Sequence, residues 1–146
     1  MKAGYADRYT PAQIYSLVFG ATLLLVGILG FIANSSFDVG ANVQGDNFIA
    51  FEVNGWHNLV HIASGLLGLA LWRNAATARS YALGFGATYL LVTLWGFIDG
   101  NNVLGLIPVN AAANVLHLAI AAAGIAAGLM SRSVERVPRR TAHPAA

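Results

Sequence analysis

The feature that most constrains this chain is the length of its apolar runs. The first run, over about residues 12–33, contains LLLVGILGFIA without one polar side chain. A helix needs about 20 predominantly apolar residues to cross the hydrocarbon core of a bilayer. A soluble helical bundle would need a polar outer face, which this run does not offer. The chain is also 57% hydrophobic and only 10% charged, against about 25% charged in soluble domains. We therefore predict a protein embedded in a membrane.

Three later segments have a similar character. The four predicted spans cover residues 12–33, 54–72, 80–98 and 109–130. The second and fourth spans begin with polar residues and are weaker by hydropathy. The predicted fold is an all-α membrane bundle of four helices. Residues 1–11 are expected to form a short tail, and residues 131–146 a basic, disordered tail.

The basic residues predict how the bundle is oriented. The eight Lys and Arg residues all fall on one side of the predicted spans: Lys2, Arg8, Arg73, Arg79, Arg132, Arg136, Arg139 and Arg140. Loops rich in Lys and Arg stay in the cytoplasm. Both termini and the 73–79 loop are therefore predicted to be cytoplasmic. Because these bases occupy tails and one short loop rather than a basic face, binding to nucleic acid is not expected.

The sequence contains an internal repeat. Residues 15–32, YSLVFGATLLLVGILGFI, match residues 81–98, YALGFGATYLLVTLWGFI, at twelve of eighteen positions. Residues from Asn54 onward match residues from Asn110 onward more weakly, so that Asn58 pairs with Asn114 and His61 with His117. We expect two helical hairpins related by a pseudo-two-fold axis along the membrane normal, as in parallel-repeat transporters. Asn54 and Asn110 are predicted to cap the second and fourth helices.

Polar residues gather on the outer side of the predicted bundle. His57 and His61 are four residues apart and share one face of the second helix. His61 and His117 each lie seven residues from their predicted caps, about 10 Å inside the outer helix ends. Asn58 and Asn114 are expected one turn above them, with Glu52 and Asp99 near the same level. His57, one turn closer to water than His61, is expected to face the outer loop.

These histidines admit several interpretations, because ionisable groups inside membrane spans are rare and mark functional sites by default. Imidazole is a ligand for zinc, copper, nickel and iron, so His57, His61 and His117 form a candidate transition-metal site. His61 and His117 could instead be the axial pair of a haem. The structural alternative is a set of hydrogen bonds between helices, His61 with Asn114 and His117 with Asn58. A solute channel or transporter is a third functional class.

No catalytic function is predicted. The chain has no cysteine, which excludes disulfides and thiolate sites. It also has no HExxH, no GxSxG and no nucleotide-binding fingerprint. Glycines recur along all four spans, and Gly124 and Gly128 form a GxxxG pair. This pair is expected to pack helices within the chain, with a homo-oligomer or a membrane-protein partner as the alternative.

The segments WHNLVHIASGLLGL, YLLVTLWGF and NVLHLAIAAAG together resemble a known family. They are similar to small bacterial four-helix membrane proteins grouped as domain of unknown function 4383, over roughly residues 10–130. The resemblance implies the fold and a location in the inner membrane of a bacterial cell. It brings no activity, cofactor or catalytic residue, so the leading interpretation from sequence is a structural or accessory membrane protein.

Overall fold

The computed structural model describes residues 9–100 and 102–131. Within these ranges the chain forms four helices: α1 (Pro11–Ala33), α2 (Gly55–Leu71), α3 (Ala75–Asp99) and α4 (Ala111–Met130). The prediction of a helical bundle is therefore confirmed. Most of the two predicted tails, with Lys2, Arg8 and the arginines after Ser131, lies outside the described residues.

Three of the helices are long and apolar enough to cross a bilayer. They are α1, α3 and α4, with mean hydropathies of 2.4, 1.5 and 1.8 over their most apolar windows. Large apolar side chains point outward along them, for example Ile32 (82% exposed), Leu91 (68%) and Leu129 (67%). An apolar surface of this extent suits contact with lipid tails. Helix α2 has 17 residues and is the shortest of the four.

Asparagine caps set where three helices begin. The Asn54 side chain accepts a hydrogen bond from His57 N (2.9 Å), and that of Asn110 from Ala113 N (2.9 Å), so both predicted caps are present. Asn74 caps α3 in the same way. Because of this cap, α3 begins at Ala75, five residues before the third predicted span. Arg79 therefore lies on α3 and not in a loop, where its Nε donates to Gly128 O (3.0 Å) at the end of α4.

The loop between α1 and α2 and the loop between α3 and α4 each contain a short β-hairpin that was not predicted from the sequence. Strand β1 (Asp46–Phe48) pairs with β2 (Phe51–Val53), and β3 (Asn102–Val103) pairs with β4 (Ile107–Pro108). The first turn uses Ile49 at a φ of 62°, which β-branched residues rarely adopt. Turns of this kind normally contain Asn or Gly, so the sequence around Ile49 gave no turn signal.

Glycines hold the helices together in two pairs, α1 with α2 and α3 with α4. A Cβ added at Gly20 would lie 3.1 Å from Gly65 O, and one added at Gly86 would lie 2.9 Å from Ala121 O. Such close contact between backbones is available only where no side chain intervenes. The Gly124 and Gly128 face is also used within the chain. Added Cβ atoms there would meet Tyr15 and Leu83, so this face is not free for a second copy.

Two tyrosines join one helix pair to the other. Tyr15 on α1 donates its hydroxyl hydrogen to Ile120 O on α4 (3.0 Å). Tyr81 on α3 donates to Ser64 O on α2, also at 3.0 Å. Above these bonds, on the hairpin side of the bundle, the space between the two pairs is occupied by histidine side chains.

Candidate metal centre

Three histidines meet in the space between the helix pairs. His57 and His61 project from successive turns of α2, and His117 projects from α4. Their side chains are 3%, 8% and 5% exposed. The ring centroids are 4.5 Å apart for His57 and His61, 5.7 Å for His57 and His117, and 6.3 Å for His61 and His117. One ring nitrogen from each residue lies within 4.8 Å of the other two. His57 thus joins the other two imidazoles, contrary to the expectation that it faces the outer loop.

The hydrogen bonds of His57 leave one of its ring nitrogens free. His57 Nδ1 lies 3.1 Å from the carbonyl oxygen of Glu52, which has no proton to give, so Nδ1 carries the hydrogen. The lone pair of a neutral imidazole is then on Nε2. A hydrogen bond from the other ring nitrogen to a backbone carbonyl is the usual support of a metal-binding histidine.

Three ring nitrogens of this group are buried without a hydrogen-bond partner among the described residues. They are Nε2 of His57 and Nδ1 of His61 and of His117. An unpaired buried polar atom costs about 1–3 kcal/mol, and such atoms are few in folded proteins. Three of them in one group make the histidines the candidate binding site of the described part of the chain.

The two asparagines of the predicted polar layer point elsewhere. Asn58 Nδ2 donates to Asn34 O (2.9 Å), and a Cβ added at Gly30 would collide with the Asn58 side chain. Asn114 lies against Gly96 in the same manner. The described residues show no hydrogen bond from either asparagine to a histidine, so the predicted pairs of His61 with Asn114 and His117 with Asn58 are wrong. Each asparagine instead fills the notch that a glycine leaves on the neighbouring helix.

The two predicted carboxylates do not reach the histidines. Glu52 Oε1 accepts a hydrogen bond from Gly45 N (2.8 Å) within the loop between α1 and α2, and Asp99 is exposed at the end of α3. Among the described His, Asp and Glu residues, only the three histidines come together as a group that fits one ion. Glu52 contributes through its backbone carbonyl, a role that the sequence does not reveal.

A groove of about 460 Å³ leads from the histidines along the bundle. It runs between α2 and α3, from the level of His57 down to Leu71, and it is open to the side. Its walls are mainly apolar and aromatic. A second, smaller cavity of about 150 Å³ lies between α1 and α4 and reaches the same three histidines. The histidine group therefore separates two spaces that open on opposite sides of the bundle.

Aromatic residues of α3 line the groove, and sequence reasoning did not single them out. Tyr81, Phe85 and Tyr89 are spaced four residues apart and form a stripe, with centroids 5.1 Å and 4.2 Å apart. The Tyr89 ring lies 5.0 Å from that of His117. The four-residue spacing was the available signal, but aromatic stripes of this kind more often belong to a packed core.

A helical bundle with lipid-exposed apolar helices and a buried polar centre defines the class: this is a membrane protein. The chain belongs to the family described as "Domain of unknown function (DUF4383)", whose model matches residues 13–130. The predicted family is thereby confirmed. No curated protein and no solved structure matches the chain.

Proposed function

We propose that this protein is an integral membrane protein that binds one divalent transition-metal ion through His57, His61 and His117. The observation that carries the proposal is the convergence of three buried imidazoles whose free nitrogens have no partner among the described residues. Neutral imidazole is the commonest metal ligand in proteins, and it suits zinc, copper, nickel and iron.

The distances fit an ion after a small adjustment. Zinc binds histidine nitrogen at about 2.0–2.1 Å in tetrahedral geometry, which places two ligand nitrogens about 3.4 Å apart. One ring nitrogen of each histidine lies within 4.8 Å of those of the other two, so these nitrogens must close by up to about 1.4 Å. Rotation of the imidazoles about their side-chain torsions would supply this movement, and the two neighbouring cavities leave room for it on either side.

Both alternatives from the sequence have less support than a metal ion. A haem would need the space between His61 and His117, but the His57 ring lies 4.5 Å from one and 5.7 Å from the other. A purely structural role would need hydrogen bonds from the histidines to their neighbours. His61 Nδ1 and His117 Nδ1 have none among the described residues.

We further propose that all four helices cross the inner membrane of a bacterial cell, with both termini in the cytoplasm. At about 1.5 Å per residue, the 17 residues of α2 span about 26 Å, close to the thickness of the hydrocarbon core. Arg73 and Arg79 lie at the end of the bundle opposite the two β-hairpins. This separation supports a cytoplasmic position for the arginine end.

Matching contacts support the pseudo-two-fold arrangement of two hairpins. In the sequence repeat, Tyr15 corresponds to Tyr81, and Ser64 corresponds to Ile120. The two tyrosine hydrogen bonds that join the helix pairs are therefore copies of one bond. The same correspondence relates the contact of Gly30 with Asn58 to that of Gly96 with Asn114. His57 breaks the symmetry, because its counterpart in the second copy is Ala113.

The direct test is metal binding by the purified protein. The protein is isolated with a tag that lacks histidine, stripped with a chelator, and titrated with Zn²⁺ in competition with a chromophoric chelator. We expect one tight Zn²⁺ site per chain. His61→Asn should abolish that site, because an amide is a poor ligand for these metals.

His143→Asn is the matched control, since it removes the chain's other histidine, which lies outside the described residues. It should bind zinc as tightly as the unchanged protein. If His61→Asn and His143→Asn bind zinc equally well, the proposal is wrong, and a structural or accessory role is the better account.

A further inference from the structure

Three neutral imidazoles would leave the charge of a divalent ion uncompensated inside the membrane. A buried charge is tolerated only when it is paired. The described part of the chain supplies no carboxylate, since Glu52 bonds within the loop between α1 and α2 and Asp99 is exposed. Three protein ligands also leave the fourth position of a tetrahedral site for a non-protein ligand, as in catalytic zinc sites. Charge and coordination number both call for an anionic donor.

The groove between α2 and α3 limits what that anion can be. From His57 to Leu71 the groove follows fourteen residues of helix, or about 21 Å at 1.5 Å per residue. Its volume is about 460 Å³, and its walls are mainly apolar and aromatic side chains. A groove of this length and lining suits one long apolar chain. The groove leads into the bundle from the side, through apolar walls, so a ligand reaches the histidines from the lipid phase.

Comparison with the smaller cavity between α1 and α4 indicates that specific small residues make the groove wide. In the repeat, Gly84 on α3 corresponds to Val18 on α1, and Ser64 on α2 corresponds to Ile120 on α4. In both pairs the smaller residue, Gly84 or Ser64, lines the groove. A Cβ added at Gly84 would have no atom within 4 Å. The groove is accordingly larger than the cavity between α1 and α4, at 460 Å³ against 150 Å³.

We infer that the histidine centre binds a single-chain lipophilic carboxylate, a free fatty acid, with its carboxylate on the metal ion and its alkyl chain in the groove. This inference rests on the proposed metal site. His61 and His117 lie about 10 Å inside the helix ends, and His57 lies about 5 Å inside. The headgroup of an intact phospholipid does not reach the level of His61 and His117 without leaving the interface. A free fatty acid places its only polar group at that depth and its tail along the groove.

The test uses Co²⁺ as a spectroscopic probe in the full-length protein, reconstituted in phosphatidylcholine nanodiscs. The visible absorption of Co²⁺ reports its ligands. Palmitate should change this spectrum at stoichiometric concentration. Methyl palmitate has the same chain without the anionic donor, and acetate has the donor without the chain. Neither should change the spectrum at the concentration where palmitate saturates.

Two variants distinguish the groove from the metal site. In Gly84→Leu the new Cβ meets no atom within 4 Å and the side chain enters the groove, so this variant should weaken palmitate binding at least tenfold and leave Co²⁺ affinity unchanged. Ala87→Leu adds the same side chain at an exposed position of α3 that does not line the groove. It should behave like the unchanged protein.

Each other outcome has a definite meaning. If Co²⁺ binds and palmitate leaves its spectrum unchanged, the fatty-acid inference is wrong and the metal site stands. If Co²⁺ does not bind, both proposals are wrong. Two results would overturn the assignment of the groove to a free fatty acid. One is a response to acetate equal to the response to palmitate. The other is a Co²⁺ spectrum that, in phosphatidylcholine nanodiscs without palmitate, already has the form expected with palmitate.

Discussion

Replacing Gly65 by alanine tests the close packing of α1 against α2, on which the position of the histidines depends. A Cβ at this position would lie 2.5 Å from Leu24 N and 2.7 Å from Gly20 O. Both neighbours are backbone atoms, so no side-chain rotation can relieve the contact. The two helices would have to move apart.

The expected change in the unfolding free energy of Gly65→Ala is the sum of two opposing effects. Overpacking of a filled interior costs about 1–3 kcal/mol, and contact with backbone places Gly65→Ala at the upper end of that range. Alanine is favoured over glycine in a helix by about 1 kcal/mol. The net loss of unfolding free energy is about 2 kcal/mol. Gly84→Ala is the matched control, since it has the same gain in helix propensity and meets no atom within 4 Å.

The assay is reversible unfolding in mixed micelles with increasing SDS, followed by tryptophan fluorescence. Both variants gain the same helix propensity, so the difference between their unfolding free energies isolates the contact with α1. We expect this difference to be about 3 kcal/mol. If Gly65→Ala lies within about 0.5 kcal/mol of Gly84→Ala, the helices do not approach as closely as described, and the packing argument fails.

Two further predictions use the same unfolding assay, and a third uses intact cells. Tyr15→Phe and Tyr81→Phe each remove one hydrogen bond between the helix pairs, so each should lower the unfolding free energy by about 1 kcal/mol; a clearly unequal loss would contradict the symmetric arrangement. Asn54→Ala loses both the helix cap and the hydrogen bond that Asn54 Nδ2 donates to Leu106 O in the second hairpin (2.8 Å), which together cost about 2 kcal/mol, whereas Asn54→Asp keeps the cap and should lose about half of that. The proposed orientation predicts that an impermeant thiol reagent labels Val39→Cys from outside the cell and Thr77→Cys only after the membrane is opened; the reverse pattern would refute it.

The helices could be predicted from sequence because their signals are local. Long apolar runs identified α1 and α3, and the asparagine caps located the starts of α2 and α4. The start of α3 was placed too late, because the search followed hydropathy and residues 75–79, including Arg79, are not apolar enough to be counted. The cap at Asn74 was the signal that would have corrected it.

The histidine site was only partly predictable. Helical spacing placed His57 and His61 on one face, and the repeat brought His117 to the level of His61. The role of Glu52 depends on the first β-hairpin, whose turn at Ile49 has no sequence signature. The asparagines were misassigned for a different reason. Gly30 and Gly96 open notches on neighbouring helices, and the shape of a notch is a property of packing that periodicity does not reveal.

The central claim is that three imidazoles share one metal ion, and X-ray absorption at the zinc edge tests it most directly. The sample is the zinc-loaded protein, purified without a polyhistidine tag. The account predicts three imidazole nitrogens at about 2.0–2.1 Å and one further light ligand, with one imidazole fewer in His57→Ala. A zinc ion with no imidazole ligand, or a spectrum that His57→Ala leaves unchanged, would contradict it.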